Sequence, residues 1–266
     1  MYKHICILLL VWCVQHSAAA QVVNTEKQRP ANAEGLLAEA GFDFGLTRNG
    51  AGQTLRLGAR LRLQYQQGRN RFLALGAHNF SQFDDLEDDG PPRQLANNTF
   101  AHIRYNRVLS PFLTWEVFGQ MQLDDVQQIT RRLLSGTGPR LRLLESDTAA
   151  LFFGALYMYE HEQSVNIFRG AEPERVPASL FDNRLSTYLS GHFEAGEAFA
   201  LTHVTYLQPN FENWSDFRVS SETSLSFRVT KYLSFRAYFQ LVYDAKPPVP
   251  VANTVLNFKN GFTFSL

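Results

Sequence analysis

The stretch Thr54-Leu55-Arg56-Leu57-Gly58-Ala59-Arg60-Leu61-Arg62-Leu63-Gln64-Tyr65-Gln66 decides the fold. Its odd positions are Leu55, Leu57, Ala59, Leu61, Leu63 and Tyr65, while its even positions are polar, cationic or glycine. Side chains alternate faces along a strand, so the segment has one apolar face and one that carries Arg56, Arg60 and Arg62. At about 13 residues it is longer than the usual strand of about 5–6. It is long enough to cross a bilayer at a tilt, which takes about 9–11.

The same split recurs down the chain. Leu113, Trp115, Val117, Met121 and Leu123 alternate with Thr114, Glu116, Gln120 and Gln122. Phe217, Val219, Leu225 and Phe227 alternate with Arg218, Glu222 and Arg228, and Leu233, Phe235, Phe239 and Leu241 with Arg236 and Gln240. Such segments begin near residues 38, 54, 71, 97, 112, 132, 149, 183, 198, 217, 232 and 254, which predicts about twelve strands (range 10–14). Short connections at 67–70, 108–111, 145–148, 194–197 and 230–231 alternate with longer ones at 80–96, 124–131, 161–182, 209–216 and 245–253. A transmembrane barrel sorts its connections in this way, with tight periplasmic turns and longer outer loops. The first and last strands are expected to pair, because an open edge cannot sit in lipid.

Parity then assigns the polar face. Arg56, Arg60, Arg62, Arg104, Arg140, Arg142, Arg218, Arg228 and Arg236 are predicted to point inward with Lys259, against Glu39, Asp43, Glu116 and Glu222. That is ten cations to four carboxylates. A water-filled interior with this lining would favour anions, whereas a filled one would use the same groups to brace the wall. A soluble sandwich or lipocalin-like barrel also alternates, but turns its oily face inward and shows water a surface rich in Lys and Glu. Here arginines outnumber lysines twenty to five, and arginine's fork suits a crowded, hydrogen-bonded interior. Tyr65, Phe112, Trp115, Phe199, Tyr232 and Tyr243 fall near strand ends, where an interfacial girdle belongs.

Composition agrees. Lys+Arg and Asp+Glu number 25 each, which argues against nucleic acid as a partner, since phosphate binding needs excess positive charge. The longest dense apolar run, Ala149 to Tyr159, is too short for a spanning helix of about 20 residues. Residues 1–20 read as a cleaved secretory signal, with Lys3 and His4 before an apolar run from Ile5 to Val14 and small residues at Ala18-Ala19-Ala20. Both cysteines, Cys6 and Cys13, lie in that segment, so the chain from Gln21 onward has no thiol to form a disulfide. Residues 21–35 are expected to be a periplasmic lead and residues 36–266 the barrel. At the C-terminus Phe258, Phe262, Phe264 and Leu266 share one parity, and segment 254–266 resembles the closing strand that barrel-assembly machinery reads.

Several stretches carry a family resemblance. They are Asn98-Thr99-Phe100-Ala101-His102-Ile103-Arg104-Tyr105-Asn106, Glu116-Val117-Phe118-Gly119-Gln120-Met121-Gln122, residues Arg132 to Arg140, and Thr205-Tyr206-Leu207-Gln208-Pro209. Over roughly residues 97–266 the chain resembles the DUF481 family, also called salt-induced outer membrane proteins. Pro139 stands where that family more often has an apolar residue, and its C-terminal acidic turn is absent from Val251-Ala252-Asn253. The resemblance implies a barrel in the outer membrane of a Gram-negative bacterium, in contact with lipid and lipopolysaccharide. It brings no catalytic residues to carry over.

Motifs for chemistry are few. No Gly-x-Ser-x-Gly elbow is present, and the sequence predicts no enzyme. The acidic loop Asp84-Asp85-Leu86-Glu87-Asp88-Asp89-Gly90 fits the first positions of a calcium loop, but position 12 falls on Ala96 and Pro91-Pro92 intervene. Gly136-Thr137-Gly138 has no following helix and is no phosphate cradle. No cofactor or metal site is therefore expected. The sequence reading is an all-β, antiparallel up-and-down transmembrane barrel: a passive, narrow, anion-leaning pore or an envelope-structural protein. The alternatives are a lipid- or lipopolysaccharide-modifying enzyme at the outer rim, with His161 in the 161–182 loop as its first candidate residue, and a soluble periplasmic binding module.

Overall fold

A computed structural model describes residues 34–264 except 51, 89, 169, 171–173, 197 and 231. The signal segment 1–20, most of the lead 21–35, Asp89 and Leu266 lie outside the described residues. Twelve strands follow one another: β1 (Gly35–Asn49), β2 (Gly52–Gln67), β3 (Asn70–Asp85), β4 (Arg93–Val108), β5 (Leu113–Asp124) and β6 (Ile129–Glu145). They continue as β7 (Ala149–Phe168), β8 (Glu174–Ala195), β9 (Phe199–Pro209), β10 (Phe217–Arg228), β11 (Leu233–Asp244) and β12 (Thr254–Phe264). Every strand pairs antiparallel with its neighbours in chain order, from β1 to β12, so the chain is an all-β, up-and-down barrel. No helix among the described residues is long and apolar enough to cross a membrane.

Two chords across the interior show how far the sheet curls. A flat sheet would hold strands three apart at about 14 Å. Yet Tyr188 Oη on β8 donates to Glu116 Oε2 on β5 at 2.6 Å, and Arg218 Nη2 on β10 lies 3.2 Å from Glu162 Oε2 on β7. Register places the faces as alternation requires. Glu39, Arg62, Leu75, His102, Gln120, Leu134, Glu160 and Asp182 are successive cross-strand partners from β1 to β8 and therefore share one face. On the opposite face Ile103, Val117, Leu133, Leu189 and Leu207 are exposed. The oily side points out.

The short connections gather at one end. There, on the outer face, Tyr65, Phe72 and Tyr105 are in ring contact, and a second series runs through Phe193, Phe199, Phe227, Phe235 and Phe262. Rings in this position combine an apolar body with a place at the edge of the apolar belt.

The long-loop end departs from the sequence reading. Segment 161–182 was expected to be a loop, but β7 continues to Phe168 and β8 begins at Glu174, with twenty cross-strand partners between Ala149–Phe193 and Phe168–Glu174. Segment 80–96 likewise shrinks to residues 86–92, because β3 runs on to Asp85 through a register shift at Ser81/Gln82. Polar residues of these stretches, among them the inward Glu162, Ser164 and Asp182, belong to continuing strands, and polarity alone made them look like loop.

Candidate functional site

The interior is layered along the barrel axis. Nearest the long-loop end is a cluster of three arginines and five carboxylates, all inside the wall. Arg184 on β8 is 1% exposed; its Nε meets Glu160 Oε2 at 2.8 Å and its Nη1 meets Asp216 Oδ1 at 3.1 Å. Asp182 binds the same guanidinium at 2.5 Å. Arg132 on β6 lies 3.0 Å from Glu160 Oε1 and also binds Glu162. Arg218 on β10 donates from Nε to Asp244 at 2.7 Å, and its other nitrogens reach Glu160 and Glu162. Glu160, 0% exposed, therefore touches all three guanidiniums. Burial in a low-dielectric interior would expel any one of these charges; mutual pairing with saturated hydrogen bonding holds them together.

Below this lies an apolar layer of Phe118, Leu134, Leu156, Met158, Tyr188, Val204 and Tyr206. Two inward glycines make room for its rings. A Cβ on Gly154 would stand 2.1 Å from the Tyr188 ring, and one on Gly136 would stand 2.4 Å from the Phe118 ring. Gly136-Thr137-Gly138 is thus a packing device, since a Cβ on Gly138 would meet the Ala155 carbonyl at 2.4 Å. At the foot of the layer Glu116, 0% exposed, lies 3.7 Å from both Arg104 and Arg140 and accepts the Tyr188 hydroxyl.

A strap crosses the long-loop mouth. Residues 245–253, between β11 and β12, reach β7: Val249 N donates to Asn166 Oδ1 at 2.8 Å, and Ile167 N donates to Val249 O at 2.7 Å. At the short-turn end the interior opens into a cavity of about 460 Å³ whose lining includes Arg71, Arg104, Arg140, Arg142 and Phe152.

The residues singled out from sequence divide into two groups. Arg104, Glu116, Arg140 and Arg218 are buried in the layers just described. Arg56, Arg60, Arg228 and Arg236 keep substantial exposure on the same face, with Arg62, Arg142 and Glu222 half-buried. Arg60 meets Asp43 at 2.9 Å and Arg62 meets Glu39 at 3.1 Å. Sequence reasoning missed Arg132, Arg184, Glu160, Glu162, Asp182, Asp216 and Asp244, and also Arg71, Glu145 and Glu194 of the cavity wall, so the ten-to-four balance does not hold. The signal was present: Gly154, Leu156, Met158, Glu160 and Glu162 share one parity, as do Asp182, Arg184, Ser186 and Tyr188.

His161 is not in a loop. It lies on β7, directly opposite Phe181, with the two rings stacked 4.2 Å apart, and Ser179 Oγ is 3.4 Å from its Nε2. In the acidic loop, Asp85 Oδ1 accepts from Glu87 N and Asp88 Oδ1 from Gly90 N, so these carboxylates turn onto their own backbone. Among the described residues no group of three His, Cys, Asp or Glu is arranged to hold a metal.

Similarity to solved structures is spread over several barrels. The NanC porin aligns at TM-score 0.43 and 12% identity, covering 85% of this chain and all of that one. The translocator domain of the autotransporter NalP from Neisseria meningitidis aligns at 0.41 and 9%, covering 91% and 92%. The KdgM porin in complex with disordered oligogalacturonate aligns at 0.37 and 6%, covering 86% and 99%. At these values the likeness carries no functional argument. A search among curated proteins found no match. The family model described as "Protein of unknown function, DUF481" matches residues 16–264, well beyond the stretch whose motifs resemble that family, and the chain belongs to the DUF481 family.

Proposed function

We propose that the protein is a passive outer-membrane barrel with a narrow, anion-leaning lumen, its short turns periplasmic and its long loops outside. The observation that carries this reading is the division of the inward arginines. Those on β4, β6, β8 and β10 near the barrel's packed side are buried in ion pairs and brace the wall. Those on β2 and at the short-turn halves of β10 and β11 remain accessible: Arg56, Arg60, Arg228 and Arg236. A conduit along β1–β2 and β10–β12 would meet these four guanidiniums with Lys259, against Glu39, Asp43 and Glu222. A lining with more cations than carboxylates draws anions. The outward apolar belt and its aromatic edge support residence in a bilayer, where an open strand edge would have to be closed by pairing of β12 with β1. The test is ion selectivity: Arg56→Glu with Arg236→Glu should move the reversal potential toward cations. An unchanged reversal potential would sink the anion-leaning lumen.

One observation favours a second reading, an enzyme acting on lipid or lipopolysaccharide at the outer rim. Ser179 and His161 form a contact on the outward face, the side that lipid would meet. A nucleophilic Ser needs a base whose other ring nitrogen is held by a third group; the Phe181 ring stacks on this imidazole and fixes its plane but offers no acceptor. Ser179→Ala in an expressing strain should alter the acyl composition of the envelope if this reading holds, and leave it unchanged otherwise.

A further inference from the structure

The cavity at the short-turn end has the size and chemistry of a ligand site. At about 460 Å³ it lies in the range of small-molecule pockets, about 300–1,000 Å³. Its lining comes from β2 through β9 and includes Gln66, Arg71, Val108, Thr114, Glu145 and Ala150, each within two residues of a strand end at the short turns. That places the mouth at the short-turn end. The other end is closed by the Phe118–Tyr188 apolar layer and, above it, the Glu160 cluster.

Polarity is graded inside it. Deep in the cavity Arg104 and Arg140, 4% and 3% exposed, share one carboxylate, Glu116, at 3.7 Å each. The cavity lining as a whole carries four arginines, Arg71, Arg104, Arg140 and Arg142, against Glu145 and Glu194, in a site walled by protein, where the field is screened less than in water. Nearer the mouth the carboxylates Glu145 and Glu194 are already engaged, with Arg142 and His192 respectively. Apolar surface lies beside the cationic end: Leu73, Val108, Ala150 and Phe152 line the same space, and the Arg140 guanidinium rests 3.9 Å over the Phe152 ring.

We propose that this cavity is a binding site for a small amphipathic anion, an organic carboxylate, sulfonate or phosphate with an apolar body, entered from the short-turn side. The apolar body would lie against Phe152 and Leu73 while the anionic head meets Arg140 and Arg104. A neutral analogue lacks the charge that the arginine-rich lining would attract, and a cation would be repelled. The site goes beyond the pore reading and does not depend on it, because a barrel that never conducts could still hold the ligand.

The chain's own cysteine usage makes the test clean. Cys6 and Cys13 are its two cysteines, so the full chain with both changed to Ser is a thiol-free parent. Thr114→Cys and Ala150→Cys place a reporter in the cavity wall, and Asp147→Cys places one in the exposed turn beside it. Each is reacted with an anionic methanethiosulfonate (the sulfonatoethyl reagent) and with a cationic one (the trimethylammonium reagent). Relative to Asp147→Cys, the cavity reporters should favour the anionic reagent by on the order of tenfold. Phenylphosphate should protect them from modification, and phenol at the same concentration should not. Arg71→Gln and Arg142→Gln, at the half-buried wall, should each weaken that protection while the gel heat-shift of the folded barrel stays intact. A reagent preference equal to that of the turn, or equal effects of phenylphosphate and phenol, would overturn the proposal. If Arg104 and Arg140 tolerate no substitution, the reporter rates alone decide it. Loss of conductance with protection retained would refute the pore and leave the site standing.

Discussion

Arg184→Met is the sharpest probe of the interior. The side chain it removes is 1% exposed and serves Glu160, Asp182 and Asp216, as well as the carbonyls of Gln208 and Asp216 at 3.3 Å each. Methionine fills a similar volume, so the loss is electrostatic more than one of packing. Of the three carboxylates, Glu160 then keeps Arg132 and Arg218, Asp182 keeps the Asn210 amide at 2.8 Å, and Asp216 keeps Lys246, which stands 3.7 Å away at the rim. Removing one partner of a buried ion pair costs about 3–5 kcal/mol. At 1.4 kcal/mol per tenfold that is roughly two to three and a half powers of ten in the folding equilibrium. Arg184→Lys keeps the charge but offers a compact ammonium in place of a planar fork, so it should fall between parent and Arg184→Met. The assay is urea titration of the protein in lipid vesicles, read by the gel heat-shift and by tryptophan emission. If Arg184→Met unfolds within about 0.5 kcal/mol of the parent, or if the lysine variant matches the methionine one, the bracing argument is refuted.

Three further outcomes follow from the same geometry. Gly154→Ala would drive a Cβ into the Tyr188 ring, and overpacking of this kind costs about 1–3 kcal/mol, read in the same urea titration; an unshifted midpoint would contradict the close approach. Tyr188→Phe removes a hydroxyl that donates to the buried Glu116 at 2.6 Å, and a hydrogen bond to a charged group is worth about 1.5–3 kcal/mol, so the variant should be destabilised by that order and keep its heat-shift. Asn166→Ala takes away one of the two bonds that seat Val249 across the mouth; with about 0.5–1.5 kcal/mol lost, single-channel records should show the open level several-fold more often. Identical open probabilities would mean that residues 245–253 do not gate the lumen.

Much of the architecture was legible because a spanning strand obeys one rule for its whole length. Leu55 to Tyr65 and Leu233 to Tyr243 announce a face by period two, and the connections sorted themselves by length. The reading failed where inward and loop residues share a composition. Glu160, Glu162 and Ser164 continue the inward parity of Met158, yet at the end of an apolar run they look like the start of a loop. Arg132 and Arg184 were passed over for a related reason: their counter-ions Glu160 and Glu162 stand on the part of β7 that looked like loop, and nothing local joins Arg218 to Glu160 across 58 positions of sequence. Pairing of that kind is set by curvature of the sheet, which alternation does not encode. The cavity was illegible for the same reason, since its walls come from eight strands and from both ends of several turns.

Ion conductance of the refolded chain in a planar bilayer, under a salt gradient and after a heat-shift has shown that it is folded, tests the central claim most directly. The account predicts a small, stable conductance whose reversal potential favours the anion and which weakens when Arg56 and Arg236 are reversed in charge. A folded barrel that stays silent, or one that selects cations, would contradict it.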